Sequence, residues 1–211
     1  MPPIEDLVDA ISSQLELKNR ARDRALVDSR QVVRHAATCI RALHRGEFER
    51  ARENLEQGSA MVGTTRADLR DHPDLYWAGY VQDAQKEIAE AYLVYAIVQR
   101  DDLPGPNSVG VELAPYLNGL AEAASEMRRY ALDRMRRGGD EDMVEAERVL
   151  QSMDDIYTSL VTVDFPDAIT GGLRRTTDSL RAVLERTRGD LTLTLRQTEL
   201  AKALARERHA G

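Results

Sequence analysis

The sequence predicts an all-α fold: one domain spanning residues 1–211, built from about seven helices. Three observations predict it. The chain is 31% charged and 42% hydrophobic but only 5% aromatic, and its apolar share is mostly Ala, Leu, Val and Met, a composition that favours helices over a sandwich or barrel. Apolar residues recur at helical spacing through long stretches without proline or glycine. The one stretch of strand-like alternation, Leu191 to Leu195, is flanked by helical sequence. Apolar positions this numerous and regular also argue against disorder.

Taken in order, residues 4–44 hold no proline or glycine. Leu7, Ala10 and Ile11, then Ala25, Val32, Val33, Ala36, Ala37 and Ile40, mark one helical face, with Lys18-Asn19 as the point where the helix could be interrupted. At about 1.5 Å per residue such a helix approaches ~60 Å, longer than a small domain is wide. Gly46 ends it. A weaker second helix runs from Glu47 to Arg70 and is closed by His72-Pro73; a third runs from Asp74 to Gln99. Leu103-Pro-Gly-Pro-Asn-Ser108 reads as a loop. Pro115 suits the first turn of a fourth helix that ends at Gly138-Gly139. Asp140 caps a fifth helix reaching Val161, Asp164 and Pro166 open a sixth, and a seventh follows Gly189-Asp190 to near Glu207.

Charge is unevenly spread. The net charge is −7, yet residues 1–60 balance at zero, residues 61–171 carry 21 acids against ten bases, and residues 172–211 carry nine bases against five acids. Only Lys18, Lys86 and Lys202 among the 29 bases are lysines. The longest apolar run, Ala91 to Val98, is too short to span a bilayer, and the opening Met-Pro-Pro-Ile-Glu-Asp lacks the features of an export signal. The expectation is a cytoplasmic protein with no membrane partner. A lone cysteine, Cys39, excludes an intrachain disulfide and a cysteine zinc cluster and reads as a small buried hydrophobe. No lysine follows a glycine, no glycines stand in G-x-G spacing, and no glutamate has a histidine three positions on. P-loops, dinucleotide fingerprints and the helical di-iron signature are therefore absent.

What remains is acidic side chains on helices. Glu87-Ile-Ala-Glu90 directly precedes the apolar run 91–98, which has no polar face and should be buried all round. The fourth helix has a core stripe of Leu113, Leu117, Leu120, Ala124, Met127 and Ala131, beside which Glu122 and Glu126 stand one turn apart. Two readings fit each pair. Glutamates are ordinary on solvated helices; carboxylates set among small apolar residues also gather hard cations such as Mg²⁺ or Mn²⁺.

The chain resembles the translin family, particularly the archaeal relatives of translin-associated factor X. The likeness runs from Ser29-Arg30 and Arg41-Ala-Leu-His-Arg-Gly-Glu47 through His72-Pro-Asp-Leu-Tyr76, Glu87-Ile-Ala-Glu-Ala91 and Gly119-Leu-Ala-Glu122 to Glu126-Met-Arg-Arg129. Asp154-Asp-Ile-Tyr157, Pro166-Asp167, Gly172-Leu-Arg-Arg175, Asp178 and Arg181 complete it. The resemblance implies a seven-helix fold assembled as a closed hollow homo-octamer that binds single-stranded RNA or DNA. In factor X and its archaeal relatives it also implies a Mg²⁺-dependent endoribonuclease site on the inner wall. The family's Glu-x-x-Glu pair falls on Glu87 and Glu90, and its Asp-x-x-x-Glu pair on Glu122 and Glu126, with Glu122 one methylene longer than the family aspartate. Translin itself lacks the full set and binds nucleic acid without cleaving it, which is the alternative reading.

On this reading Glu87, Glu90, Glu122 and Glu126 are catalytic residues and metal ligands. Lys86, Arg128 and Arg129 either contact RNA phosphates or balance the neighbouring glutamates. Tyr76, Trp77 and Tyr80 read first as core or interface, with stacking on bases as the alternative. His44 reads as a solvated loop histidine, with contact to RNA as the alternative, and Arg174 and Arg175 either bind phosphate or pair with Asp178 or another subunit.

Overall fold

The computed structural model describes residues 3–210, and among them every regular element is helical: α1 (Ile4–Arg45), α2 (Phe48–Asp68), α3 (Pro73–Tyr76), α4 (Gly79–Gln99), α5 (Pro106–Val109), α6 (Leu113–Arg137), α7 (Asp140–Leu160), α8 (Asp167–Thr170) and α9 (Leu173–Ala210). Six are long and three are single turns. No helix among the described residues is long and apolar enough to cross a membrane. The contacts divide the chain into two compact units, residues 1–95 with 104–116, and residues 96–103 with 117–211.

In the first unit, α1 packs along α2. From Ala25 onward α1 buries Ser29, Val32, Ala36, Cys39 and Leu43, while α2 buries Ala51, Leu55, Val62 and Thr65. Gly58, mid-helix in α2, is explained by close approach: a Cβ there would lie 2.7 Å from Ile88 Cδ1 of α4 and 3.4 Å from His35 Cβ of α1. Its low helix propensity is the cost of bringing three helices together. Ala25, Leu69, Leu75 and Val81 form a smaller cluster covered by Ala21, Tyr76 and Tyr80. α1 is continuous through Lys18-Asn19, where Lys18 pairs with Asp74 at 2.7 Å. His44 lies in the last turn of α1 rather than in a loop.

The predicted third helix begins differently. Pro73–Tyr76 forms one turn, the chain turns at Trp77-Ala78, and α4 starts at Gly79. The Tyr76 carbonyl is met by Gln82 Nε2 at 2.9 Å, which satisfies an acceptor that an unbroken helix would have used internally. Pro115 sits in the first turn of α6, as expected; the helix starts at Leu113, and the carbonyl of Glu112 just before it accepts the Tyr116 N–H at 3.0 Å. Leu113, read as core, is 69% exposed.

In the second unit, α7 buries Met143, Glu145, Ala146, Val149, Met153, Ile156 and Leu160 and packs against α9, which buries Leu173, Leu180, Leu184 and Leu191. The predicted sixth helix is only the single turn α8. Gly171 and Gly172, at φ +62° and +84°, then redirect the chain into α9 in a backbone region other residues rarely adopt. The expected break at Gly189-Asp190 is absent. α9 runs through it, held by Thr187, fully buried two residues before, and by the Arg188–Asp154 ion pair at 2.8 Å. Packing on both sides of Gly189 overrides a propensity penalty of about 1 kcal/mol.

Candidate metal and nucleic-acid site

α4 is positioned by its buried residues. Ile88, Ala89, Ala91, Leu93 and Val94 are wholly inaccessible, as the uninterrupted apolar run predicted, with Tyr92 and Tyr95 half-buried. Glu87 and Glu90 flank Ile88-Ala89 and emerge half-buried on the remaining side of the helix, one turn apart. Lys86 Nζ lies 3.4 Å from Glu87 Oε1. On α6, Ala121, Ala123, Ala124 and Met127 are wholly inaccessible, and Glu122 and Glu126 are half-buried beside them. Alanine on each side of Glu122 leaves its carboxylate little competing bulk.

Glu87, Glu90 and Glu122 each offer a carboxylate oxygen within 4.8 Å of the other two, a group able to hold a metal ion. Glu126 stands outside this trio. An all-oxygen donor set of this kind would suit Mg²⁺ or Mn²⁺ over softer metals. Glu122 supplies its oxygen despite its extra methylene.

The three basic candidates differ in their surroundings. Arg128 is half-buried and held on α9 by Asp190 at 2.8 Å and Thr187 Oγ1 at 3.2 Å. Arg129 is exposed, with Glu126 Oε1 at 4.0 Å as a loose partner. Lys86 is half-buried beside Glu87. Arg174 pairs with Asp164 at 3.4 Å in an exposed contact, rather than with Asp178.

Two polar networks carry no signal in the sequence. In the first unit the Tyr76 hydroxyl donates to Glu112 Oε1 at 2.6 Å and accepts from Arg66 Nε at 3.0 Å, while Arg66 also reaches Glu112 at 3.1 Å. Burial, then the Glu112 carboxylate, push the Tyr76 phenol above its ordinary pKa, and Arg66 pulls it partly back. Tyr76 and Tyr80 fulfil the core reading; Trp77, edge-on to Tyr76 at 5.3 Å, is 59% exposed and does not. In the second unit Glu145, 5% exposed, accepts from Arg148 at 2.8 and 2.9 Å, from Arg100 at 2.8 Å and from the Tyr130 hydroxyl at 3.4 Å. Partners 15 to 45 residues away in sequence are invisible to spacing arguments; only the Glu145-x-x-Arg148 pair was open to them.

The fold of this all-helical chain resembles solved translin/Trax-like structures. Comparison with protein families finds no matching family. A curated relative, the uncharacterized protein MJ0175 of Methanocaldococcus jannaschii, is 27% identical over 203 residues, covering 95% of this chain and 88% of the relative. The structure of AfC3PO with duplex RNA matches with a TM-score of 0.81 and 29% identity over 90% of this chain and 97% of that one. A second AfC3PO crystal structure matches at 0.79 and 28% over the same shares. NeC3PO without ligand matches at 0.78 and 18%, covering 92% and 98%, and speaks for the fold alone. The translin-family resemblance read from the sequence is thus met by translin/Trax-like C3PO structures over nearly the full chain.

Proposed function

We propose that this chain is a Mg²⁺-dependent endoribonuclease that cleaves single-stranded RNA within a homo-oligomeric shell, octameric as the family resemblance implies, in the cytoplasm. The observation that carries the reading is the approach of the Glu87, Glu90 and Glu122 carboxylates to within 4.8 Å. Three carboxylates so close, with the Lys86 ammonium 3.4 Å from Glu87, form a strongly negative donor set that a divalent cation would bind. When bound, the ion lowers the pKa of a coordinated water and relieves charge on the scissile phosphate. The chain's own residues then have distinct tasks. Glu87, Glu90 and Glu122 hold the ion, and Mn²⁺ substitutes on the same oxygens. Glu126, one turn beyond Glu122 and outside the trio, accepts the water's proton. Arg129, exposed and loosely held, contacts a flanking phosphate, as Lys86 does from α4. Arg128 joins them only by exchanging its Asp190 contact for phosphate.

One observation favours a second reading. AfC3PO has a structure in complex with duplex RNA, so RNA binding without cleavage, of a duplex as well as a single strand, is the competing function. DNA of either form belongs to the same comparison. The test uses labelled single-stranded and duplex RNA with wild type plus Mg²⁺, with EDTA, and with Glu122→Gln. Cleavage by wild type alone, and only with metal, is the expected result. Binding that survives EDTA with no cleavage in any arm would establish the second reading. With a net charge of −7, either kind of binding relies on local basic residues and weakens as salt rises.

A further inference from the structure

We infer that Arg30, Arg34, Arg41 and Arg45 form a row on α1 that binds the phosphates of an RNA strand without regard to its bases. Their spacing of four, seven and four residues turns all four side chains to one face of the helix. At 1.5 Å per residue the row spans about 22 Å, with about 6 Å between the members of each end pair. All four are exposed, on the side of α1 opposite the buried Val32, Ala36, Cys39 and Leu43.

Nothing in the chain neutralises this row. Residues 29–46 hold four arginines, two histidines and no acid, in a chain whose net charge is −7. Arginines on other helices pair with acids a turn away, as Arg52 does with Glu49 and Glu56 and Arg196 with Glu199. Among the described residues none of the four meets a carboxylate; Arg41 donates only to Thr38 Oγ1, at 3.0 Å. The arrangement also works against the helix. Arg30 with Arg34, and Arg41 with Arg45, are like charges one turn apart, which weakens α1. Only Arg45, in the last turn, complements the helix dipole; the other three stand too far from either end. The chemistry of the row selects its occupant. A guanidinium grips a phosphate through two parallel N–H bonds, which lysine cannot copy. Ala37 and Thr38, between the two pairs, are small and half-buried, so a strand can lie close along the helix. Residues 29–46 include no aromatic and no exposed large aliphatic side chain, the anchors that a protein partner or a membrane surface would need. A polynucleotide backbone, charged at every step, needs no such anchor.

The inference rests on the RNA binding in the reading above and not on its catalysis, and it adds to the contacts of Arg129 and Lys86 a set on a different helix. Binding is therefore measured in EDTA, where no strand is cut, by the anisotropy of labelled single-stranded RNA with the full chain over a range of salt. Wild type should bind a mixed sequence and a homopolymer. Arg34→Gln combined with Arg41→Gln should weaken both about tenfold near 0.15 M salt and flatten the slope of log affinity on log salt by about 1.4, or about 0.7 per lost contact. Arg52→Gln combined with Arg196→Gln removes the same charge from exposed, paired positions and should change neither. Circular dichroism checks that each variant stays helical. Single-stranded DNA of the same sequence should lose affinity in the same proportion, because a phosphate row does not read the 2′-hydroxyl. An unchanged affinity and salt slope in the Arg34 and Arg41 double variant, an equal loss in the control pair, or a loss confined to RNA overturns the row. Polyglutamate competing as well as RNA at equal charge overturns it in favour of an acidic protein segment. A wild type that binds no RNA in EDTA yet cleaves it with Mg²⁺ overturns the row alone, whereas one that does neither overturns it together with the RNA reading.

Discussion

Replacing Glu145 by glutamine tests how the second unit is held together. The carboxylate is 5% exposed and receives hydrogen bonds from Arg148, Arg100 and Tyr130. Breaking a fully buried ion pair by removing one partner costs about 3–5 kcal/mol. Here the arginine side chains are 66% (Arg100) and 30% (Arg148) exposed, so water recovers part of the loss when they are stranded. Glutamine also keeps the shape and one acceptor. The expected loss is therefore about 2–3 kcal/mol at pH 7, read as a drop in the urea midpoint with an unchanged slope.

The same side chain predicts a pH dependence. Burial acts to raise the Glu145 pKa, but hydrogen bonds and charge from Arg148 and Arg100 outweigh it, so the folded value lies below the ordinary 4.5. A carboxyl with a depressed folded pKa contributes its full stability above its unfolded pKa and loses it as pH falls through the folded value. The gap between wild type and Glu145→Gln should then be constant from pH 7 to about 5 and close steadily below about 4.5. Equal gaps at pH 7 and pH 3, or a loss below ~0.5 kcal/mol at pH 7, would show that the network is ornamental and refute the reasoning.

Three further outcomes follow from particular residues. Cys39 is wholly inaccessible and burial pushes its thiol pKa up to about 12, so native protein should react with a thiol reagent only at its unfolding rate, far slower than the urea-unfolded chain. Ser29 Oγ, Thr65 Oγ1 and Gln85 Nε2 line one cavity of about 10 Å³ without a protein partner, space for a single water bonded to all three. Thr65→Val should then cost about 1 kcal/mol by chemical denaturation; a gain in stability would mean that the hydroxyl is simply unsatisfied. Mg²⁺ should raise the melting temperature of wild type in proportion to the logarithm of its concentration, and Glu87→Gln or Glu122→Gln should remove most of that rise, with an equal rise in both variants counting against a shared ion.

Helix content, the long first helix, the burial of the 91–98 run and the inertness of Cys39 were legible because each follows from local periodicity or composition. The errors lie where local signals met packing. Gly189 is a local break signal, and buried packing distant in sequence carries α9 through it. Leu113 failed as core because helical phase was extrapolated past the end of the packed segment. The acidic residues occupy an intermediate position. Spacing placed Glu87 with Glu90, and Glu122 with Glu126, on shared helix faces, but periodicity on two helices says nothing of which carboxylates meet. The resemblance to translin-associated factor X supplied that link, and the trio excludes one of its four members. On the proposed reading Glu126, half-buried one turn from Glu122 and outside the trio, handles a proton rather than the ion. Glu126→Gln should accordingly abolish cleavage while leaving the Mg²⁺-dependent rise in melting temperature intact, a separation that Glu122→Gln cannot show. Loss of both together in Glu126→Gln would return it to the ligand set.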